Sequence, residues 1–102
     1  MIIYNVTVNV DKNINDDWLE WMQKVHIPEV MEAGVFIKSQ INQVITESDT
    51  GYTYAIAYTC ASMKDLHQYQ VNFAPGLQQK HVVRYGDKAV SFRTILEVIK
   101  EF

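Results

Sequence analysis

Apolar and polar positions alternate strictly from the first residues: Ile2, Tyr4, Val6, Val8 and Val10 on one parity, Ile3, Asn5, Thr7 and Asn9 on the other. Period two with β-branched residues predicts a strand whose first set faces a core. Asp11-Lys12-Asn13 then forms a turn cluster, and Asn15 or Asp16 offers a short side-chain oxygen to cap a helix. Trp18, Leu19, Met22, Val25 and Val30 recur at three- and four-residue steps, the mark of a helix with one buried stripe. Pro28 lacks a backbone donor and biases Ile27 away from the helical region, so a kink or restart is expected around His26-Ile27-Pro28. Ala33-Gly34 closes the unit, Gly34 suiting a left-handed stop.

A second period-two stretch runs long, with Val35, Ile37, Ile41 and Ile45 on one parity and Lys38, Gln40, Asn42 and Thr46 on the other. Ser48-Asp49-Thr50-Gly51 is the expected hairpin turn, and the return strand sets Tyr52, Tyr54, Ile56, Tyr58 and Cys60 against Thr53, Ala55, Ala57 and Thr59. Ser62 caps a second helix with Asp65 in its first turn. Leu66, Tyr69, Gln70 and Phe73 give its stripe, and Ala74-Pro75-Gly76 interrupts it before a further helical piece from Leu77 to Tyr85, ended by Gly86. In the last strand Val90, Phe92, Thr94, Leu96 and Val98 share one parity, and Ser91, Arg93, Ile95, Glu97 and Ile99 the other.

The order β-α-β-β-α-β with right-handed crossovers predicts an α+β, ferredoxin-like sandwich: a four-stranded antiparallel sheet with its helices on one face, residues 1–102 forming a single domain. The opposite face is expected to carry Asn5, Thr7, Lys38, Gln40, Asn42, Thr53, Ala55, Ala57, Ser91, Arg93 and Ile95. A half-polar face with small residues fits either solvent or a second copy, and a homodimer through this face is the expectation.

Composition narrows the classes. The chain has 102 residues, 48% of them hydrophobic and 21% charged, which suits one folded domain rather than a disordered segment. Its net charge of −3 and nine scattered Lys and Arg leave no basic run for a phosphate backbone, so nucleic acid is not an expected partner. No stretch approaches ~20 consecutive apolar residues, and the N-terminus lacks the features of a signal peptide. The single cysteine, Cys60, suits a reducing compartment, and a cytoplasmic location is expected.

Several stretches together resemble a short bacterial family of unknown function within the dimeric α+β barrel superfamily. They are the opening Met-Ile-Ile-Tyr-Asn-Val-Thr-Val-Asn-Val, Trp18-Leu-Glu-Trp-Met, His26-Ile-Pro-Glu-Val-Met, Tyr58-Thr-Cys60, Tyr69, Ala74-Pro75 and Phe92-Arg-Thr-Ile-Leu-Glu-Val98. The resemblance implies two ferredoxin-like sheets paired into a barrel. It implies no catalytic residues, and the superfamily spans cofactor-free monooxygenases, small isomerases and haem-handling enzymes. Folds of this kind host unrelated functions.

The residues that carry chemistry are few. His26 precedes the Pro28 break and, with Glu29 three positions on, has the makings of a general acid–base pair, because imidazole titrates near neutrality and a carboxylate orients it. The plainer alternative is a structural histidine bonding a broken helix turn. His67 suits an exposed helix face. His81 and Arg84 lie three apart with Lys80 beside them, arranged either to hold an anion or as a solvated face. Arg93 among apolar neighbours suits a carboxylate ligand, or a cross-strand ion pair with Glu47 or Glu97. Asn5 and Asn42 add neutral hydrogen-bonding groups. Tyr52, Tyr54 and Tyr58 fill the core with hydroxyls at its edge, Trp18 anchors a helix, and Trp21 lies off the main stripe, suited to a partner. No helical metal motif, Ser-His-Asp order, phosphate-cradling glycine loop or dinucleotide fingerprint occurs, so neither metal nor cofactor is expected.

Two readings follow. In one, the protein binds or transforms a small, partly apolar organic acid or aromatic without metal, using His26, Glu29, Asn5 and Arg93, with His81 and Arg84 as further ligand contacts. In the other it is a non-enzymatic homodimeric interaction or regulatory module. A cavity gathering His26 and Arg93 separates them, and the sequence alone leaves open whether the chain is an enzyme.

Overall fold

The computed structural model describes residues 1–45 and 50–102. Four strands, β1 (Ile2–Val10), β2 (Lys38–Gln43), β3 (Tyr52–Cys60) and β4 (Ala89–Glu97), form one antiparallel sheet in the order β2-β3-β1-β4. Helices α1 (Asn15–Trp21) and α2 (Ile27–Glu32) connect β1 to β2, and α3 (Met63–Asn72) and α4 (Ala74–Tyr85) connect β3 to β4. This is the expected ferredoxin-like arrangement. Thr46, Glu47, Ser48 and Asp49, which include most of the expected hairpin turn, lie outside the described residues.

The core forms where the helix stripes meet one face of the sheet. Trp18, Ile56, Leu66, Val8, Val10, Val30 and Cys60 are its largest fully buried side chains. Each buried side chain of that size contributes roughly 1.5–3 kcal/mol, so the two-layer packing dominates stability. Tyr4, Phe36, Tyr58 and Tyr69 pack as an aromatic group, Phe36 and Tyr69 meeting edge to face at 4.7 Å. Gly51 is needed where β3 begins: its φ is +132°, and a Cβ there would stand 2.5 Å from the Val10 carbonyl oxygen.

Local signals were kept or shifted for identifiable reasons. Ser62 accepts a hydrogen bond from the Asp65 N–H (3.2 Å) and caps α3, as expected. Asn15 and Asp16 do not cap α1. Asp11 instead caps a 3-10 turn over Lys12–Ile14, which frees the Asn15 side chain to accept from the Tyr54 hydroxyl at 2.6 Å. Pro28 does not break the first helix; the backbone widens into a π-helical segment, Met22–His26, with Ile27 N–H donating to the Met22 carbonyl. Widening the turn accommodates a proline that lacks the N–H for an α-helical bond to Lys24. Strand β2 is shorter than expected, although Ile37 and Val44 N–H groups still reach the Thr59 and Thr53 carbonyls.

The largest departure is in β4. Its register on β1 sets Val6 opposite Arg93, Val8 opposite Ser91 and Tyr4 opposite Ile95. Directly paired residues share a face, so Ser91, Arg93 and Ile95 lie on the helix side, not the opposite one. Val90, Phe92, Thr94 and Leu96 take the outer face beside Asn5, Thr7 and Asn9. Val90, Phe92 and Leu96 are 56%, 63% and 46% exposed there. The expected parity gave these apolar residues to the chain's own core, and the pairing gives them to the surface.

Candidate functional site

Because β4 is an edge strand, the groove between its inner face and the helices is incompletely closed. A cavity of about 340 Å³ occupies it, walled by Val6, Val8, Val30, Ile56, Leu77 and Val82. Its polar lining comes from Tyr4, Tyr58, Tyr69, His26, Gln78, His81, Ser91 and Arg93. Thus His26 from the π-helical segment, His81 from α4 and Arg93 from β4 converge from three elements on one space.

The two imidazoles touch within an aromatic shell. Their ring centroids are 6.0 Å apart, and Trp21 stacks on His26 at 4.9 Å. Trp18, fully buried in α1, donates from Nε1 to Nε2 of His81 at 2.9 Å. Indole N–H is a donor only, so that nitrogen of His81 is unprotonated and the neutral ring carries its proton on Nδ1. Burial, aided by the Arg93 charge, lowers the His81 pKa. His26 Nδ1 is buried with no hydrogen-bond partner among the described residues. Burial chiefly, then His81, pushes the His26 pKa down to about 4; Glu29 opposes this, while Lys80 and Arg93 add to it. Both rings are neutral at physiological pH.

Arg93 makes no ion pair among the described residues; Glu97 does not meet it, and Glu47 is outside that set. Its positive charge lowers the Tyr4 pKa against the larger effect of burial, which raises it. Burial pushes the Tyr69 hydroxyl up to about 12 and the Tyr58 hydroxyl higher, so both stay protonated.

The other residues singled out in the sequence stand elsewhere. Glu29 pairs with Lys80 at 2.6 Å rather than bonding His26, which removes it as that ring's hydrogen-bonding orienter. Arg84 does not line the cavity; it lies over Trp21 and Tyr85 at 5.5 Å from each ring and pairs with Asp17 at 3.3 Å. Trp21 therefore has its partners within the chain. Asn5 bonds Thr7 on the outer sheet face, and Asn42 bonds the Ala55 carbonyl. His67 is exposed, and Cys60 is buried with its thiol pKa raised by burial. Among the described residues no group of three or more His, Cys, Asp or Glu is placed to hold a metal. No helix there is long and apolar enough to cross a membrane.

The sequence reading missed Tyr4, Tyr69, Gln78, Ser91 and the Trp18–His81 bond. Tyr4 and Tyr69 carried the same apolar-stripe signal as core residues, and nothing local marks a residue that lines a cavity within that core. Ser91 was lost with the β4 parity.

The ferredoxin-like fold that frames this cavity is one that solved structures share. The chain is similar to HapK from Hahella chejuensis (TM-score 0.75, 10% identity, covering 100% of this chain and 96% of that one). It is similar also to a protein from Deinococcus radiodurans provisionally described as an antibiotic biosynthesis monooxygenase (TM-score 0.72, 12% identity, 100% and 96% covered). A dimeric ferredoxin-like protein from an uncultured marine organism matches at TM-score 0.69 and 15% identity, with 100% and 98% covered. At such identities the likeness concerns the fold alone. No curated protein matches the chain. Residues 1–99 match the family described as a domain of unknown function, DUF4286, and the chain belongs to that family.

The neutral His26 leaves a measurable trace in stability. As pH falls, the unfolded chain takes up a proton near pH ~6.5 while the folded ring resists until about 4. Stability is therefore full above the unfolded value and declines as pH drops toward the folded one. Between pH 7.5 and 5, above the carboxylate range, His26 alone should cost ~2 kcal/mol, read from urea midpoints. His26→Gln should flatten that slope; an unchanged slope would show that His26 is not held neutral.

Proposed function

We propose that this protein binds a small organic acid with an apolar or aromatic body in the cavity between β4 and the helices, and that any transformation of the ligand occurs there. The observation that supports this most is the convergence of His26, His81 and Arg93 on a space walled by aliphatic and tyrosyl side chains. Small-ligand sites are typically concave, largely apolar and oriented by a few polar groups. The cavity volume suits a one- or two-ring molecule, and Arg93, with no carboxylate partner among the described residues, suits its acidic group. Strongly shifted titratable groups in a cleft are a recurrent feature of functional sites. The description of one structural neighbour as a provisional monooxygenase fits a small-molecule role without naming the reaction.

Assembly through the outer sheet face belongs to the same reading. Val90, Phe92 and Leu96 present an apolar strip along an edge strand. A second copy is the occupant proposed, consistent with a neighbour described as a dimeric ferredoxin-like protein. If dimerisation were the whole function, the His26 cavity would tolerate substitution without consequence for any ligand.

A thermal-shift panel of small carboxylic acids, phenols and haem should yield a hit for the wild type. At 100 times its dissociation constant a ligand stabilises by ~2.7 kcal/mol, a rise on the order of 10 °C for a domain of this size. The shift should be lost in Arg93→Ala and reduced in His26→Ala. Silence across the panel, or hits indifferent to both variants, would favour the interaction module.

Sedimentation tests the assembly: the wild type should run as a dimer and Phe92→Glu as a folded monomer. A monomeric wild type, or a variant that remains dimeric, would contradict it.

A further inference from the structure

The cavity's charges and protons are unbalanced in one direction. Arg93 supplies a positive charge, and no Asp or Glu lines the space among the described residues. The nearest carboxylate with influence on His26, Glu29, is engaged by Lys80 at 2.6 Å.

The ring nitrogens are also committed. The lone pair of His81 Nε2 is occupied by the Trp18 N–H, so its remaining polar group is the Nδ1–H. His26 Nδ1 is sealed without a partner. An orphaned buried N–H is rarer in proteins than an under-satisfied acceptor, which puts the His26 proton on Nε2. Neither imidazole then offers a free lone pair to the cavity, and each offers an N–H. The tyrosine hydroxyls are held protonated. The site is furnished to receive negative charge rather than to abstract a proton.

We infer that the cavity recognises a conjugated oxyanion on an apolar body and stabilises it in the ionised form, between the Arg93 guanidinium and the ring N–H groups of His26 and His81. This rests on the cavity being the functional site, and it gives the histidines a role opposite to that of a general base. Two chemistries share the feature: a carboxylate, already ionised at neutral pH, and a phenol or enol, which ionises only if its surroundings favour the anion. For the second, the O–H bond breaks on binding, its electron pair stays on oxygen and the proton passes to solvent. Donors fixed in advance toward a developing oxyanion favour the ionised form of such weak acids.

4-Nitrophenol reports this directly, because its ionised form absorbs in the visible. At a pH below its own pKa, the wild type should bind the dye as the coloured anion, with proton release to buffer and competition by benzoate. Arg93→Gln should weaken binding by about tenfold or more, because a charge-assisted bond is lost. His26→Phe, which keeps a ring but no N–H, should abolish the coloration, and His26→Gln, which restores an N–H, should recover part of it. Arg93 lies at an exposed strand position, so its variant keeps the test decisive if His26→Phe fails to fold. A dye bound colourless by the wild type, equal coloration in His26→Phe, or no dye binding would overturn the inference. If benzoate still binds through Arg93 while the dye stays colourless or unbound, the oxyanion-stabilising role falls and the cavity reading survives. If neither ligand binds nor any panel member stabilises, both fall.

Discussion

The antiparallel pairing of β4 with β1 is the constraint on which the rest depends. Side chains alternate with period two, so one register sends every residue of β4 to a defined face, and a one-residue slip would exchange them all. With Val6 opposite Arg93, the inner face receives Ser91 and Arg93 and the outer face Val90, Phe92 and Leu96. The same bonds therefore complete the cavity and expose the apolar strip. The proposed ligand site and the proposed dimer face are two sides of one edge strand.

The helices add what the strand cannot. Pro28 has no N–H to continue a regular helix, and the backbone before it widens into the π-helical segment that ends at His26, which lines the cavity. Trp18 ties α1 to α4 through His81, and Lys80 ties α4 to α2 through Glu29. The first contact is partly buried and fixes a tautomer. The second is a partly exposed ion pair, worth at most ~1 kcal/mol, whose larger effect is to occupy the carboxylate nearest His26. Together they leave a cavity with a cation and neutral donors.

Much of the fold was legible in the residues because local signals agreed. The alternation of Ile2 to Val10, the Ser62 cap and the Gly34 stop at φ +77° each act within a few positions of the chain. His26, His81 and Arg93 were also visible as candidates from residue type alone. Their grouping was not, for a physical reason: Val90, Phe92 and Leu96 carry an apolar signal that says they favour burial without saying against what. Read as core, they send Arg93 outward; paired as found, they remain for another surface. Glu29 and Arg84 illustrate the converse, since closeness in sequence suggested His26 and His81 as their neighbours, whereas they pair with Lys80 and Asp17. A hydrogen bond such as Trp18 to His81, spanning 63 positions, leaves no local mark.

The central claim is the facing of β4, and nuclear Overhauser contacts in the labelled protein test it most directly. Contacts from the Arg93 side chain to the Tyr4 and Tyr69 rings, with the Phe92 ring near Thr7, are the predicted result. Phe92 in contact with Tyr69 or Leu77, and Arg93 beside Thr7, would mean the strand is turned over, and both the cavity and the outer apolar strip would have to be abandoned.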